Sequence, residues 1–238
     1  MKKAISLEVT AATVLALTVP AFAATPAFSD VTDTALSTQV DSLRMLGVVA
    51  GDPNGSFRPN DTLTRAEFCV MAVNAMGNAN QVAMYRTRTI FPDVRSDHWA
   101  RGFINLAAAG KDKIIAGTDK GTFEPNSPIT YGQAATILIR VLGYTNEDTG
   151  MVWPDGFMAL AEKIGLSDGL PSLAGNDKIT RAQAAQMFSN LLTTQKKDGG
   201  VYAETLGSLN KETVILALDV TADDGSTDAI RTSDGVYP

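Results

Sequence analysis

Three stretches of the chain carry apolar residues at the three- and four-residue spacing that lines one face of a helix. They are Phe68, Met71, Ala72, Ala75 and Met76; Ala134, Ile137, Leu138, Val141 and Leu142; and Ala184, Met187, Phe188, Leu191 and Leu192. Each follows the same start signal. Thr64, Thr130 and Thr180 are followed three residues on by Glu67, Gln133 and Gln183, the spacing of a capping box. In a capping box the threonine and the Glu or Gln side chains each satisfy a backbone N–H that the helix leaves unpaired. Three helices with one matching stripe are expected to bury it against one another.

A second set of stripes comes earlier in each region. Leu36, Val40 and Leu43 line the first; Trp99, Phe103, Leu106 and Ala107 the second; Phe157, Leu160, Ala161 and Ile164 the third. Asp97 is placed to cap the second of these. Between the paired helices runs a loop bearing glycine and proline, with Asp52-Pro53-Asn54-Gly55 as its turn. The pattern predicts an all-α region built of helix, tight loop and capped helix.

Comparing the chain with itself shows that these units are copies. Gly51, Gly55, Phe57, Pro59, Asn60 and Thr64 recur as Gly117, Gly121, Phe123, Pro125, Asn126 and Thr130, all at an offset of 66. Upstream, Phe28-Ser29-Asp30-Val31 recurs as Phe91-Pro92-Asp93-Val94. A shorter third copy keeps Asp177-Lys178-Ile179-Thr180-Arg181-Ala182-Gln183. Residues 28–77, 91–143 and 151–193 are the expected units, and none is large enough to bury much surface alone, so they should share a core.

The two ends follow other rules. Lys2 and Lys3, an apolar run from Ala11 to Val19 and the small residues of Pro20-Ala21-Phe22-Ala23 have the order of a secretory signal, with the cut expected after Ala23. An exported protein follows, with no other apolar run long enough to span a membrane. Residues 194–200 read as a linker, Thr213 to Leu218 as a buried strand, and Asp234-Gly235 as a hairpin turn whose second strand is missing. Residues 201–238 are therefore expected to begin a β-rich domain and leave it incomplete.

Composition narrows the chemistry. Lys plus Arg number 20 against 26 Asp plus Glu, a net charge of −6 without a basic run, which argues against grip on a nucleic-acid backbone. One cysteine and one histidine, Cys69 and His98, leave no disulfide framework and no Cys- or His-rich metal site, and no cofactor is expected. Gly165-Leu166-Ser167-Asp168-Gly169 has the G-x-S-x-G form of hydrolases but follows a helix, and the histidine lies upstream, so a loop is the better reading. The turn from Asp219 to Ser226 fails the calcium-loop spacing, since Val220 stands where a carboxylate is needed.

Arg65 and Arg181 stand out. Each directly follows its N-cap threonine, at the positive end of the helix dipole, where a cation is mildly unfavourable. A guanidinium beside free helix N–H groups suits a bound anion. The middle copy has Tyr131 and Gly132 there instead, so its site is expected to be altered.

Taken together, these residues resemble the S-layer homology (SLH) repeat: F-S/P-D-V, a helix, G-x-x-x-G-x-F-x-P-N, then a T-R-A-E-type motif, in tandem after a signal peptide. The resemblance implies a three-pronged helical module about a pseudo-threefold axis that holds exported proteins on bacterial cell walls. It implies binding of secondary cell-wall polysaccharide, often through pyruvylated amino sugars, in grooves between repeats, with peptidoglycan as the other wall polymer and self-assembly in a surface layer as a further interaction. Carried over by position, the carbohydrate-binding residues are Thr64, Arg65 and Glu67; Thr180, Arg181 and Gln183; Asp30 and Asp93; and Gly51 and Gly117. At most two grooves keep an arginine. The expected protein is a non-enzymatic wall anchor at the cell surface. The alternatives are the anchor region of an exported hydrolase, or of an outer-membrane porin gripping peptidoglycan.

Overall fold

All three capping boxes form. Thr64 accepts from the Glu67 N–H at 3.2 Å while Glu67 accepts from the Thr64 N–H at 2.8 Å. Thr130 with Gln133 and Thr180 with Gln183 repeat the pair of bonds. A computed structural model of the chain describes residues 28–150, 152–206, 215–220, 229–232 and 235–237. The signal at 1–23 and most of the Asp219–Ser226 turn lie outside the described residues.

The helices run in chain order as α1 Thr34–Met45, α2 Arg65–Ala75, α3 Val82–Tyr85, α4 Arg101–Ala109, α5 Tyr131–Val141, α6 Asn146–Thr149, α7 Asp155–Lys163 and α8 Arg181–Thr193. Asp33 caps α1 by accepting from the Leu36 N–H at 2.8 Å. Asp97, however, does not cap α4. It pairs with Arg95 at 3.1 Å, and the helix starts further on, behind Ala100, which carries no side-chain cap. Trp99 consequently lies ahead of the helix and is 54% exposed rather than part of its buried face.

The packing differs from the expectation that the three capped helices bury their stripes mainly on one another. They meet near the centre, where Phe68 of α2 and Phe188 of α8 have ring centroids 5.0 Å apart. Farther out, each capped helix packs on the opening helix of the next copy: α2 on α4, α5 on α7, and α8 on α1. Every prong is thus shared between two copies, and the first and last helices of the module close the third prong.

The centre is a ring of backbone hydrogen bonds. The Leu63 N–H donates to the Ile179 carbonyl at 3.3 Å, Ile179 to Ile129 at 3.3 Å, and Ile129 to Leu63 at 2.9 Å. Leu63, Ile129 and Ile179 are essentially fully buried on this pseudo-threefold axis. Each residue stands just before a cap threonine, so the ring sets the three helix starts side by side.

Beyond α8 the chain turns back on the module. The Tyr202 N–H donates to Thr194, and its buried hydroxyl donates to the Ala75 carbonyl at the end of α2, 3.2 Å away. Strands β1 Ile215–Val220, β2 Ala229–Thr232 and β3 Gly235–Tyr237 form an antiparallel sheet in that order. The strand expected from Thr213 to Leu218 is thereby located, its first two residues lying outside the described ones. The second strand expected to be missing after Asp234-Gly235 is present: β3 pairs antiparallel with β2, Gly235 opposite Thr232, with residues 233–234 outside the described ones.

Candidate functional site

The aspartates of the two F-S/P-D-V motifs shape the loops that build the site. Asp30 accepts from the N–H groups of Phe57 and Arg58, both at 2.7 Å. Asp93 accepts from Phe123 at 2.9 Å and from Glu124 at 2.6 Å. Arg58 and Glu124 sit at φ 58° and φ 59°, a left-handed conformation that each aspartate clamps. The Phe57 N–H is the main reason that the Asp30 carboxyl is held below its usual range.

The clamped loops carry Phe57 and Phe123, and on these rings lie the two arginines. The Arg181 guanidinium stands 4.8 Å from the Phe57 centroid, and that of Arg65 stands 4.9 Å from Phe123. Phe28 and Phe91 back the same rings at 5.6 and 5.5 Å. Arg181 Nε donates to the Phe57 carbonyl at 2.5 Å and Arg65 Nε to the Phe123 carbonyl at 2.8 Å. Each arginine therefore reaches from its own helix into the loop of a different copy. Burial lowers both guanidinium pKa values, yet both remain cations at any working pH.

The helix N–H groups beside the arginines are not free, contrary to the sequence reading. Neighbouring loops take them. Arg65 and Ala66 donate to Ser127 and Pro125 at 2.9 and 3.0 Å, and Arg181 and Ala182 to Asp61 and Pro59 at 2.8 and 2.9 Å. What remains for a ligand is the guanidinium edge. Among the described residues no carboxylate forms an ion pair with Arg65 or Arg181, and the Nη groups of Arg65 have no protein acceptor at bonding distance.

Two grooves open over these edges. Groove A, about 390 Å³, lies between the loop containing Gly51 and Asp52, the face of α2 bearing Glu67 and Asn74, Arg181 and Trp99. Groove B, about 620 Å³, lies between the loop containing Gly117 and Thr118, the face of α5 bearing Gln133 and Arg140, Arg65 and Trp153. Shifted by the 66-residue repeat, the loop and helix walls of groove A become those of groove B, Gly51 and Glu67 falling on Gly117 and Gln133, while the arginine and tryptophan walls come from other copies. The T-R-A-E motif is thus split: Arg65 serves groove B, while Glu67 serves groove A beside Arg181. Thr64, Thr180 and Gln183 act in their capping boxes and line neither groove. Gly51 and Gly117 pass so close to Phe28 and Phe91 that a Cβ would stand 2.0 and 2.6 Å from a ring carbon.

The sequence reading missed the chain's two tryptophans as groove walls. Trp99 and Trp153 are 54% and 57% exposed, and the Trp153 indole N–H donates to Thr136 on α5 at 3.0 Å. The signal was present, since both precede the opening helix of a copy. At the middle copy's helix start, Tyr131 is buried, and a Cβ on Gly132 would come within 2.7 Å of Pro154. The third cleft, about 570 Å³, is lined by Tyr131, Asp155, Glu162 and Asp168 and has no basic side chain.

Elsewhere the chemistry is quiet. Cys69 is fully buried and its thiol is pushed up by burial. His98 stacks on Trp99 at 5.9 Å, and its Nδ1 accepts from the Ala100 N–H. Residues 165–169 form the turn after α7, with Gly165 and Gly169 both at φ +77°. Among the described residues no cluster of His, Cys, Asp and Glu is arranged to hold a metal, and no helix is long and apolar enough to cross a membrane.

Comparison with known proteins agrees with this architecture. The S-layer homology domain model matches residues 27–69 and 90–135. The chain is 33% identical over 175 residues to the "Surface layer protein" of Brevibacillus choshinensis, covering 71% of this chain and 15% of that protein. It is 34% identical over 194 residues to the "Cell surface protein" of Thermoanaerobacter kivui, covering 81% of this chain and 24% of that one. It is also 28% identical over 190 residues to the "Amylopullulanase" of Thermoanaerobacterium thermosulfurigenes, covering 73% and 10%. The chain thus spans less than a quarter of the length of these relatives. The matched repeats, the ring that joins them and the grooves between them make this chain a member of the S-layer homology domain family.

Proposed function

We propose that grooves A and B hold the protein on the cell wall by binding an acidic wall polysaccharide, with Arg181 and Arg65 taking a carboxylate on the sugar. Membership of the family gives the coarser part of this reading, a cell-wall anchor at the cell surface. The observation that carries the finer part is a guanidinium without an ion-pair partner at the edge of each groove, buried at Arg65 and half-buried at Arg181, where one Nη donates to the Ala50 carbonyl at 3.1 Å, and walled each time by an exposed tryptophan. A desolvated cation favours a compact anion, and an indole face stacks on the apolar face of a sugar ring. In this reading Gly51 and Gly117 let the loops lie against Phe28 and Phe91, which back the rings beneath the arginines. Asp30 and Asp93 hold the loops, and the threonine and Glu/Gln pairs hold the helices that carry the arginines. Self-assembly in a surface layer is a further part of the proposal.

The test is co-sedimentation of the full chain with purified sacculi, before and after acid extraction of the secondary polymer. Trp99→Ala and Trp153→Ala serve beside Arg65→Lys and Arg181→Lys. Loss of binding on extraction and in the variants supports the acidic polysaccharide. Binding that survives extraction assigns the module to peptidoglycan, and unaltered binding in all four variants removes the grooves from consideration. The similarity to an amylopullulanase favours a second reading of the whole protein, in which this module tethers an exported polysaccharide hydrolase. Sequencing the gene beyond the codon for Pro238 decides it, since that reading requires a downstream catalytic domain.

A further inference from the structure

Groove B does not end where groove A does. At the position that repeats Asn74 of groove A, groove B has Arg140, two helical turns beyond Gln133 on α5 and so about 10 Å further along. Arg140 is half-buried, lies 5.5 Å over the Phe157 ring and donates to Asn146 at 3.3 Å. Among the described residues no carboxylate pairs with it, and burial lowers its pKa.

Arg140 and Asn146, with Ile115 and Ala116, line a second cleft of about 1110 Å³ as well as groove B. Its walls carry Lys111, Lys113 and Arg140 against Asp112 and Glu147, with Lys196 paired to Asp198 at 3.3 Å. On a chain of net charge −6 this is a local excess of positive charge. Groove A has nothing comparable: its additional cation, Arg58, is already paired with Asp52 at 2.7 Å and Asp61 at 3.0 Å.

We propose that groove B and this cleft form one extended site for two consecutive acidic residues of a glycan, the second carboxylate being held by Arg140 with Lys111 and Lys113 at the rim. The inference rests on the reading that Arg65 holds the first carboxylate. Because Arg140 stands about 10 Å along α5 from Gln133, the second subsite is expected to count for a ligand longer than one hexose ring. Groove A, with Asn74, holds one acidic residue.

The chain's two tryptophans report the two grooves separately. The full chain, labelled with nitrogen-15 at tryptophan, is titrated with the methyl glycoside of a pyruvylated N-acetylhexosamine, which has one carboxylate, and with its two-residue oligomer, which has two. The Trp153 indole signal is expected to give an affinity about tenfold higher for the oligomer, while Trp99 shows no such gain. Arg140→Asn, which installs the residue of groove A, should remove the gain, so that the oligomer binds at Trp153 no more tightly than the one-carboxylate probe. Lys111→Ser combined with Lys113→Asn, on the exposed rim, should reduce it independently of any effect on folding. Equal affinities at Trp153 for the two probes overturn the extended site while leaving the grooves standing. If the one-carboxylate probe moves neither indole signal, the reading beneath fails and the extended site falls with it.

Discussion

An arginine directly after an N-cap is mildly opposed by the helix dipole, and Arg65 and Arg181 show what offsets that cost. Each lies on a phenylalanine of another copy, donates to that residue's carbonyl, and gives its own backbone N–H to the same loop. These residues therefore join copies as well as facing a groove, so Arg→Lys is the cleaner probe of binding. The glycines beside them are equally constrained. Gly51→Ala pushes a methyl into Phe28 and should cost about 1–3 kcal/mol by overpacking, read from the midpoint of urea unfolding. A variant as stable as the parent would mean that Phe28 is free to move aside. Cys69, fully buried, with burial holding its thiol protonated, should resist an aromatic disulfide reagent in the folded protein and react at once in denaturant.

Helix starts were legible because the capping box is a local code. A threonine and a Glu or Gln three residues later determine their own geometry, so α2, α5 and α8 begin where the spacing placed them. The start of α4 was not legible. Asp97 has an arginine two residues away, and the ion pair competes with the cap for the same carboxylate. Trp99 had helical spacing but no helix, because spacing alone does not tell a buried stripe from a groove wall. The short helix α6 is tied down by charge. Asp148 of α6 accepts from Lys197 of the linker and from the Thr145 N–H, and the Lys197 bond above all holds its carboxyl down at about 2, against 3.8 for an ordinary aspartate. A folded-state pKa that is depressed contributes stability above the unfolded value, and the contribution is lost as pH falls through the folded one. The attachment of the linker to α6 should therefore weaken between about pH 4 and pH 2. Thermal unfolding across that range should shift less for Asp148→Asn than for the parent, and equal shifts would assign the acid sensitivity to other carboxylates such as Asp30.

At the scale of the molecule, the repeat in the sequence and the packing unit in space are not the same object. Self-comparison found the copies, yet each prong pairs a capped helix with the opening helix of the following copy, and the axis is a cycle in which each copy supplies a carbonyl to the next. Neither arrangement can be read from spacing, because both are long-range pairings among near-identical stripes. The grooves inherit this: Arg181 from the last copy faces the loop of the first, so groove A exists only when the cycle is closed. A linear array of repeats tolerates loss of an end copy, since the remainder keeps its neighbours. A closed cycle does not. Removing residues 151–206 takes α8 from α1, leaves the Leu63 N–H without the Ile179 carbonyl, and exposes the stripe of α5 that α7 covers. The shortened chain is therefore expected to lose its cooperative thermal transition as well as groove A, although both copies matched by the family model remain. Calorimetry on the full and shortened chains checks this. A sharp transition in the shortened chain would show that two copies make a core of their own and that the ring is an embellishment. A broad one would show that the copies depend on the closed ring, to which the middle copy contributes without an arginine: its Tyr131 and Gly132 N–H groups donate to the Asp177 and Gly175 carbonyls of the third copy, and its own loop and α5 face wall groove B.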